Sequence, residues 1–143
     1  MLYFPRKGGE RIKLNHDCVR DVMLSLEDRL ECVDSIDFEN IKLENFDDKD
    51  VLYSLLKLHE AGFLSGKVMR MLDRSVTGYI TGITWEGHKF LDTIRDNKVW
   101  GKTKTILSKV SSASVSFASS VASQVLATLI SQYMGLNQPL SPS

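Results

Sequence analysis

Cysteine is scarce, and what there is forms no pattern. Cys18 and Cys32 lack the C-x-x-C spacing of a metal site, and two cysteines do not make a disulfide framework. Both are expected to be reduced thiols in a cytosol. A surplus of charge is also missing: 18 basic and 18 acidic residues give a formal net charge of zero. Proteins that grip nucleic acid over their whole surface carry a basic excess, because phosphate neutralisation supplies most of the affinity. Any contact with a polyanion must therefore be local. The N-terminal stretch MLYFPRKGGERIKL is basic but has no apolar run and no small-residue cleavage site, so a signal peptide is not expected and the expected location is cytoplasmic. No phosphate-cradling loop is present, since Gly78, Gly82 and Gly87 stand alone, and no serine sits in G-x-S-x-G.

What is present is ordinary in amount and uneven in place. A hydrophobic content of 43% and a charged content of 25% exclude a wholly disordered chain, and 143 residues suffice for one core with an appendage. Residues 1–14 carry Arg6, Lys7, Arg11 and Lys13 against Glu10. Residues 31–50 carry eight acids against Lys42 and Lys49. Residues 67–109 carry nine bases against four acids, and nothing beyond Lys109 is charged. Opposite faces are thus suited to partners of opposite sign.

Hydrophobic spacing predicts a helix over about 15–30, with Val19, Val22, Met23, Leu26 and Leu30 on one stripe and Asn15 or Asp17 as cap. Ile36, Phe38, Ile41 and Leu43 alternate imperfectly, as in a short or bulged edge strand. A second helix is expected over about 48–61, capped by Asp47 and stopped by Gly62. Residues 67–83 read as a hairpin with its tip at Asp73-Arg74-Ser75. Thr84 caps a further helix with Trp85, Phe90, Leu91 and Ile94 on its buried face. The chain restarts at Asp96 or Asn97 and runs as a long helix to about Met134, stopped by Gly135. Val22, Leu26, Leu55, Leu58, Trp85, Leu91 and Ile94 are expected in one core.

Helix, short strand, helix ending in Leu-x-x-x-Gly, hairpin, Thr-capped helix is the order of a winged-helix domain. Leu58-His59-Glu60-Ala61-Gly62-Phe63-Leu64 resembles the L-x-E-A-G signature that closes the third helix of such domains, and Ile83-Thr84-Trp85-Glu86-Gly87 resembles the step out of the wing. The runs Lys13–Asp21 and Ile83–Trp100, the second containing W-E-G-H-x-F-L-D-x-I-R-D, are similar to the bacterial and phage family known as domain of unknown function 2513. The resemblance covers about residues 12–135 and implies a winged-helix-like fold and a bacterial, phage or prophage setting. It implies no activity. Members start near Lys13, so residues 1–11 read as an N-terminal extension. The expected layout is α+β and mainly helical: a winged-helix-like domain at 12–96 with a small β hairpin as wing, a C-terminal helical segment at 97–135 and a tail at 136–143.

His88 beside Glu86 would suit a general base or metal ligand, but no Cys/His cluster completes a metal site and no second carboxylate pairs with Glu86. No enzyme, cofactor or metal is expected. For DNA, the acids Asp47, Asp48 and Asp50 make the start of helix 48–61 a poor end to present to phosphates. Lys67, Arg70 and Arg74 of the wing, with Arg11, Lys13 and Arg20, are the better candidates. The terminal helix shows two apolar rows, Phe117, Val121, Val125, Leu129 and Tyr133 beside Ala118, Ala122, Leu126, Ile130 and Met134. Such a face requires a cover. Self-association through Phe117, Val121, Val125, Leu129, Tyr133, Leu126 and Ile130 is expected, with folding back onto the domain or membrane insertion as competitors. The functional expectation is a non-enzymatic, DNA-associated regulator. The alternatives are a protein-binding module that modulates a host or phage-defence factor through its acidic 31–50 stretch and oligomerises through its C-terminal helix, and a protein associated with a membrane through that helix.

Overall fold

The computed structural model describes residues 2–3 and 13–135. Arg11, most of the expected extension at 1–11 and the tail at 136–143 lie outside the described residues.

The first helix, α1 (His16–Arg29), starts where the sequence implies, with the Asn15 side chain accepting from the Cys18 N–H at 3.1 Å. Its stripe of Cys18, Val19, Val22, Met23 and Leu26 is fully buried. β2 (Ile36–Asp37) follows, β1 being the N-terminal pair Leu2–Tyr3. The alternation slips at Glu39-Asn40 because the chain turns there through a 3-10 turn, Phe38–Asn40. That turn keeps Phe38 and Ile41 inside. α2 (Asp48–Glu60) buries Val51, Leu52, Leu55, Leu56 and Leu58. It ends at Gly62, whose φ of +84° is the left-handed conformation that halts a helix.

β3 (Leu64–Arg70) and β4 (Ser75–Ile83) form the hairpin, with a bulge at Ser65/Gly66. β4 is the centre of the sheet. β3 pairs along one edge, and β1 and β2 share the other, all antiparallel. The fold is therefore α+β and mainly helical, with a small antiparallel sheet closing one side of a helical core.

α3 (Trp85–Ile94) is capped by Thr84, whose Oγ1 accepts from the Gly87 N–H at 3.1 Å and donates to Gly62 O at 2.6 Å. Gly87 lets the helix touch the strand entry: a Cβ there would lie 2.1 Å from Phe63 O. The expectation for Trp85 fails. Gly87, Phe90, Leu91 and Ile94 form the inward face, and Trp85, two residues before Gly87, is turned about 200° away and is 76% exposed. The tryptophan in the core is Trp100, at 4% exposure.

The C-terminal segment also differs from expectation. One long helix is replaced by two, α4 (Asn97–Leu107) and α5 (Val115–Tyr133). Asp96 caps α4 through the Lys98 and Val99 N–H groups, and Ser114 caps α5 by accepting from the Phe117 N–H at 3.0 Å. α5 packs back on α3 and α4 of its own chain. Its buried face is Val115, Ala118, Ala122 and Val125, a three-four spacing. The four-step row runs off that face, leaving Phe117 43% and Tyr133 92% exposed. No described helix is long and apolar enough to cross a membrane.

Candidate nucleic-acid interface

With its apolar side inside, α2 shows solvent a narrow stripe at helical spacing: Lys49, Tyr53, Lys57 and Glu60. Lys57 Nζ sits 5.4 Å from the Tyr53 ring centroid and 3.2 Å from Glu60 Oε1. The acids at the start of the helix are partly occupied. Asp48 pairs with Lys42 at 3.3 Å, while Asp47 stands at the cap without a side-chain cap bond. The helix thus has an acidic beginning and, one turn on, a basic and aromatic outer face. Lys49, Tyr53 and Lys57 were not singled out by sequence reasoning. Their i, i+4, i+8 spacing opposite the apolar stripe was the available signal.

His59 Nε2 lies 3.2 Å from Gly66 O and ties the end of α2 to the hairpin. Beyond that contact, Leu56, His59, Glu60, Val68 and Arg70 line an open cleft of about 380 Å³. Arg70 therefore stands on the α2 side. Lys67, an odd number of residues away along the strand, projects from the opposite face. Arg74 is at the tip, with φ +72°. The tip is held by Met71 N–H to Ser75 O and Arg74 N–H to Met71 O, both 2.9 Å, and by Asp73 Oδ1, which accepts from Ser75 N at 3.0 Å and Ser75 Oγ at 2.6 Å.

Arg20 is committed elsewhere. Its Nε donates to Ile94 O at 2.9 Å, its Nη2 to Arg95 O at 2.8 Å and Asn97 Oδ1 at 2.9 Å, and it lies 5.9 Å over the Trp100 ring. It clasps α1 to the α3–α4 junction and closes carbonyls that the end of α3 leaves open. Lys13 is exposed ahead of α1. The five described cations of the six expected at one interface thus do not share one face: Arg70 borders α2, Lys67 lies behind the hairpin, Arg74 is at its tip, Lys13 precedes α1 and Arg20 is tied to the α3–α4 junction.

The same clasp shapes Asp17. Burial pushes its carboxyl up, but hydrogen bonds from Trp100 Nε1 and Lys104, and the charges of Lys104 and Arg20, hold it below the ordinary value. At the other end of α1, Arg95 forks onto both Glu27 oxygens at 2.8 and 2.9 Å and onto Asp92 at 2.9 Å, which lowers the Glu27 carboxyl. His88 is exposed on α3. Among the described residues, no three His, Cys, Asp or Glu side chains group closely enough to hold a metal. Both cysteines are free thiols, Cys18 buried and Cys32 exposed.

On α5, Val125 is spent inside the fold, Val121, Leu126 and Leu129 are half-buried, and Phe117, Ile130 and Tyr133 face outward. Val121, Val125 and Leu129 share a groove of about 320 Å³ with Lys102 and Ile106 of α4.

No solved structure matches the chain. An uncharacterized protein of Haemophilus influenzae is 31% identical over 124 residues, covering 86% of this chain and 99% of that protein. The sequence profile of a family described as "Hypothetical protein (DUF2513)" matches residues 13–114, which span α1 to α4 and the strands β2 to β4. The chain belongs to that family.

Proposed function

We propose that the chain is a non-enzymatic winged-helix protein that associates with DNA, in the phage or prophage setting that the family resemblance implies. β3–β4 is the wing and α2 the helix beside it. The observation that carries this reading is the Lys49–Tyr53–Lys57 stripe on the outside of α2, with Arg70 of the wing across a cleft that Leu56, His59 and Glu60 line at the end of the same helix. Lysines supply phosphate contacts and an aromatic ring supplies a flat apolar surface. This moves the centre of the surface from the wing and N-terminal arm to the wing and α2. With no net charge on the molecule, binding is expected to be local, with a salt slope set by the few phosphates contacted.

Fluorescence anisotropy with labelled duplexes of mixed sequence, across a salt series, tests it. Lys49→Ala with Lys57→Ala should weaken binding and lower the slope of log K against log salt by about 0.9 per lost phosphate contact. Wild-type protein that leaves every duplex unbound at low salt overturns the reading.

A second reading, a protein-binding module that self-associates through α5, is favoured by the apolar groove that Val121, Val125 and Leu129 share with α4 and by the exposure of Phe117 and Ile130 elsewhere on the helix.

A further inference from the structure

The wing carries a feature that phosphate contacts leave unexplained. Leu72, at its tip, is 106% exposed, and Met71 and Met69 beside it are 45% and 37% exposed. Apolar side chains held fully in water at a turn are disfavoured, and this turn is not loose. Two backbone hydrogen bonds and the Asp73 carboxylate, turned back onto Ser75, fix its shape. The tip presents leucine by construction.

Its flanks are basic on both sides. Lys67 projects from one face of the hairpin, Arg70 from the other, and Arg74 stands at the tip next to Leu72. Cations on opposite faces make a poor patch for any flat anionic surface, because only one face can touch it. They suit a cleft walled on both sides by negative charge. The minor groove of duplex DNA is such a cleft, about 6 Å wide with a phosphate ridge on each side. Proteins that enter it insert apolar wedges between base steps, partly unstack them and kink the duplex.

We infer that the β3–β4 tip is a minor-groove wedge: Leu72 enters a base step while Lys67 and Arg70 hold the phosphates of opposite strands. This rests on the DNA reading above and adds a consequence that reading lacks, namely that bound DNA is unstacked at one step and bent. Flexible pyrimidine–purine steps are the preferred target, since their deformation costs least.

The test uses the full chain and a 30-base-pair duplex with a central TA step, 2-aminopurine beside that step, and a donor and acceptor dye at the two ends. Wild type should raise 2-aminopurine fluorescence severalfold and shorten the end-to-end distance. Leu72→Ala should still bind, with an unchanged salt slope, and lose both signals. Because Leu72 is fully exposed, the variant should melt at the wild-type temperature. Lys67→Ala, Arg70→Ala and Arg74→Asn, the last keeping a residue that tolerates the left-handed backbone, should each lower the salt slope by about 0.9. If Leu72→Ala unstacks and bends the duplex as wild type does, the wedge is wrong and the DNA reading stands. If wild type binds no duplex at low salt, both fall. Vesicles of phosphatidylserine and phosphatidylcholine form the remaining arm. Binding to them that depends on Leu72, with no 2-aminopurine response, would make the tip a membrane anchor and overturn the inference.

Discussion

Trp85 and Trp100 separate two roles that one residue type can play. Trp85 belongs to the run W-E-G-H-x-F-L-D on which the family resemblance rests, yet it faces solvent, whereas Trp100 joins α1 to α4 through its Nε1 hydrogen bond to Asp17 at 3.0 Å. Truncating a buried tryptophan costs about 3–5 kcal/mol, and an exposed one far from special features stays within about 0.5 kcal/mol. Trp100→Ala should therefore lower the urea midpoint sharply and Trp85→Ala barely move it, and acrylamide should quench Trp85 emission first. Equal losses would show that Trp85 is packed. Asp17 and Glu27 add a pH dependence. Both carboxyls are held below their ordinary values in the folded chain, so each favours folding above the unfolded pKa of about 4, and that contribution is lost as pH falls through the lower folded value. Stability should drop below about pH 4, and Asp17→Asn with Glu27→Gln should lower the neutral-pH plateau and flatten that fall; denaturation curves between pH 2 and 7 read both effects. An unchanged acid slope in the double variant would place the acid sensitivity elsewhere.

At the scale of elements, the N-terminal two-thirds was legible because each boundary has its own local chemistry. Asn15 and Thr84 cap, Gly62 stops, and Asp96 restarts, each through a contact within four residues. The core positions Val22, Leu26, Leu55, Leu58, Leu91 and Ile94 followed from periodicity and are all buried. The break at 108–114 was missed because no glycine or proline marks it. Ser114 caps from within a serine-rich run in which any of several hydroxyls would qualify, and the choice is made by packing. The candidate site was legible only in part, since strand parity separates Lys67 from Arg70 and a distant backbone contact claims Arg20. Neither is visible without tertiary geometry. Packing also sets which face of α5 turns inward. Ala118 and Ala122, at 1% and 0% exposure, let the helix approach α3 and α4 closely. Ala122→Leu should overpack that seam and cost about 1–3 kcal/mol, detected as a lower melting temperature. A neutral substitution would mean that α5 is not seated on the core in solution.

For the whole molecule, the question is whether α5 still has something left to bind once its inner face is covered. Removing residues beyond Lys109 would be an ambiguous test, because it also strips Val115, Ala118, Ala122 and Val125 from the core. Substituting only the outward residues separates the two roles. Phe117 and Ile130 are 43% and 47% exposed, at opposite ends of the helix, and no charge on α5 opposes the approach of a second copy. What remains is separate apolar spots, with Phe117 and Ile130 about 140° apart around the helix, rather than the broad face of an isolated helix. A contact of that size belongs with weak, transient interfaces, below about 1,200 Å² buried. Self-association is therefore expected to be concentration-dependent and symmetric, with a two-fold pair the simplest closed form. Light scattering over a concentration series should show a monomer giving way to a dimer. Phe117→Ser with Ile130→Ser should keep the chain monomeric while leaving its melting temperature within a few degrees of wild type, measured at low concentration. A wild-type chain that stays monomeric throughout would assign α5 the single role of covering α3 and α4. A double variant that dimerises as strongly as wild type would move the contact to another surface.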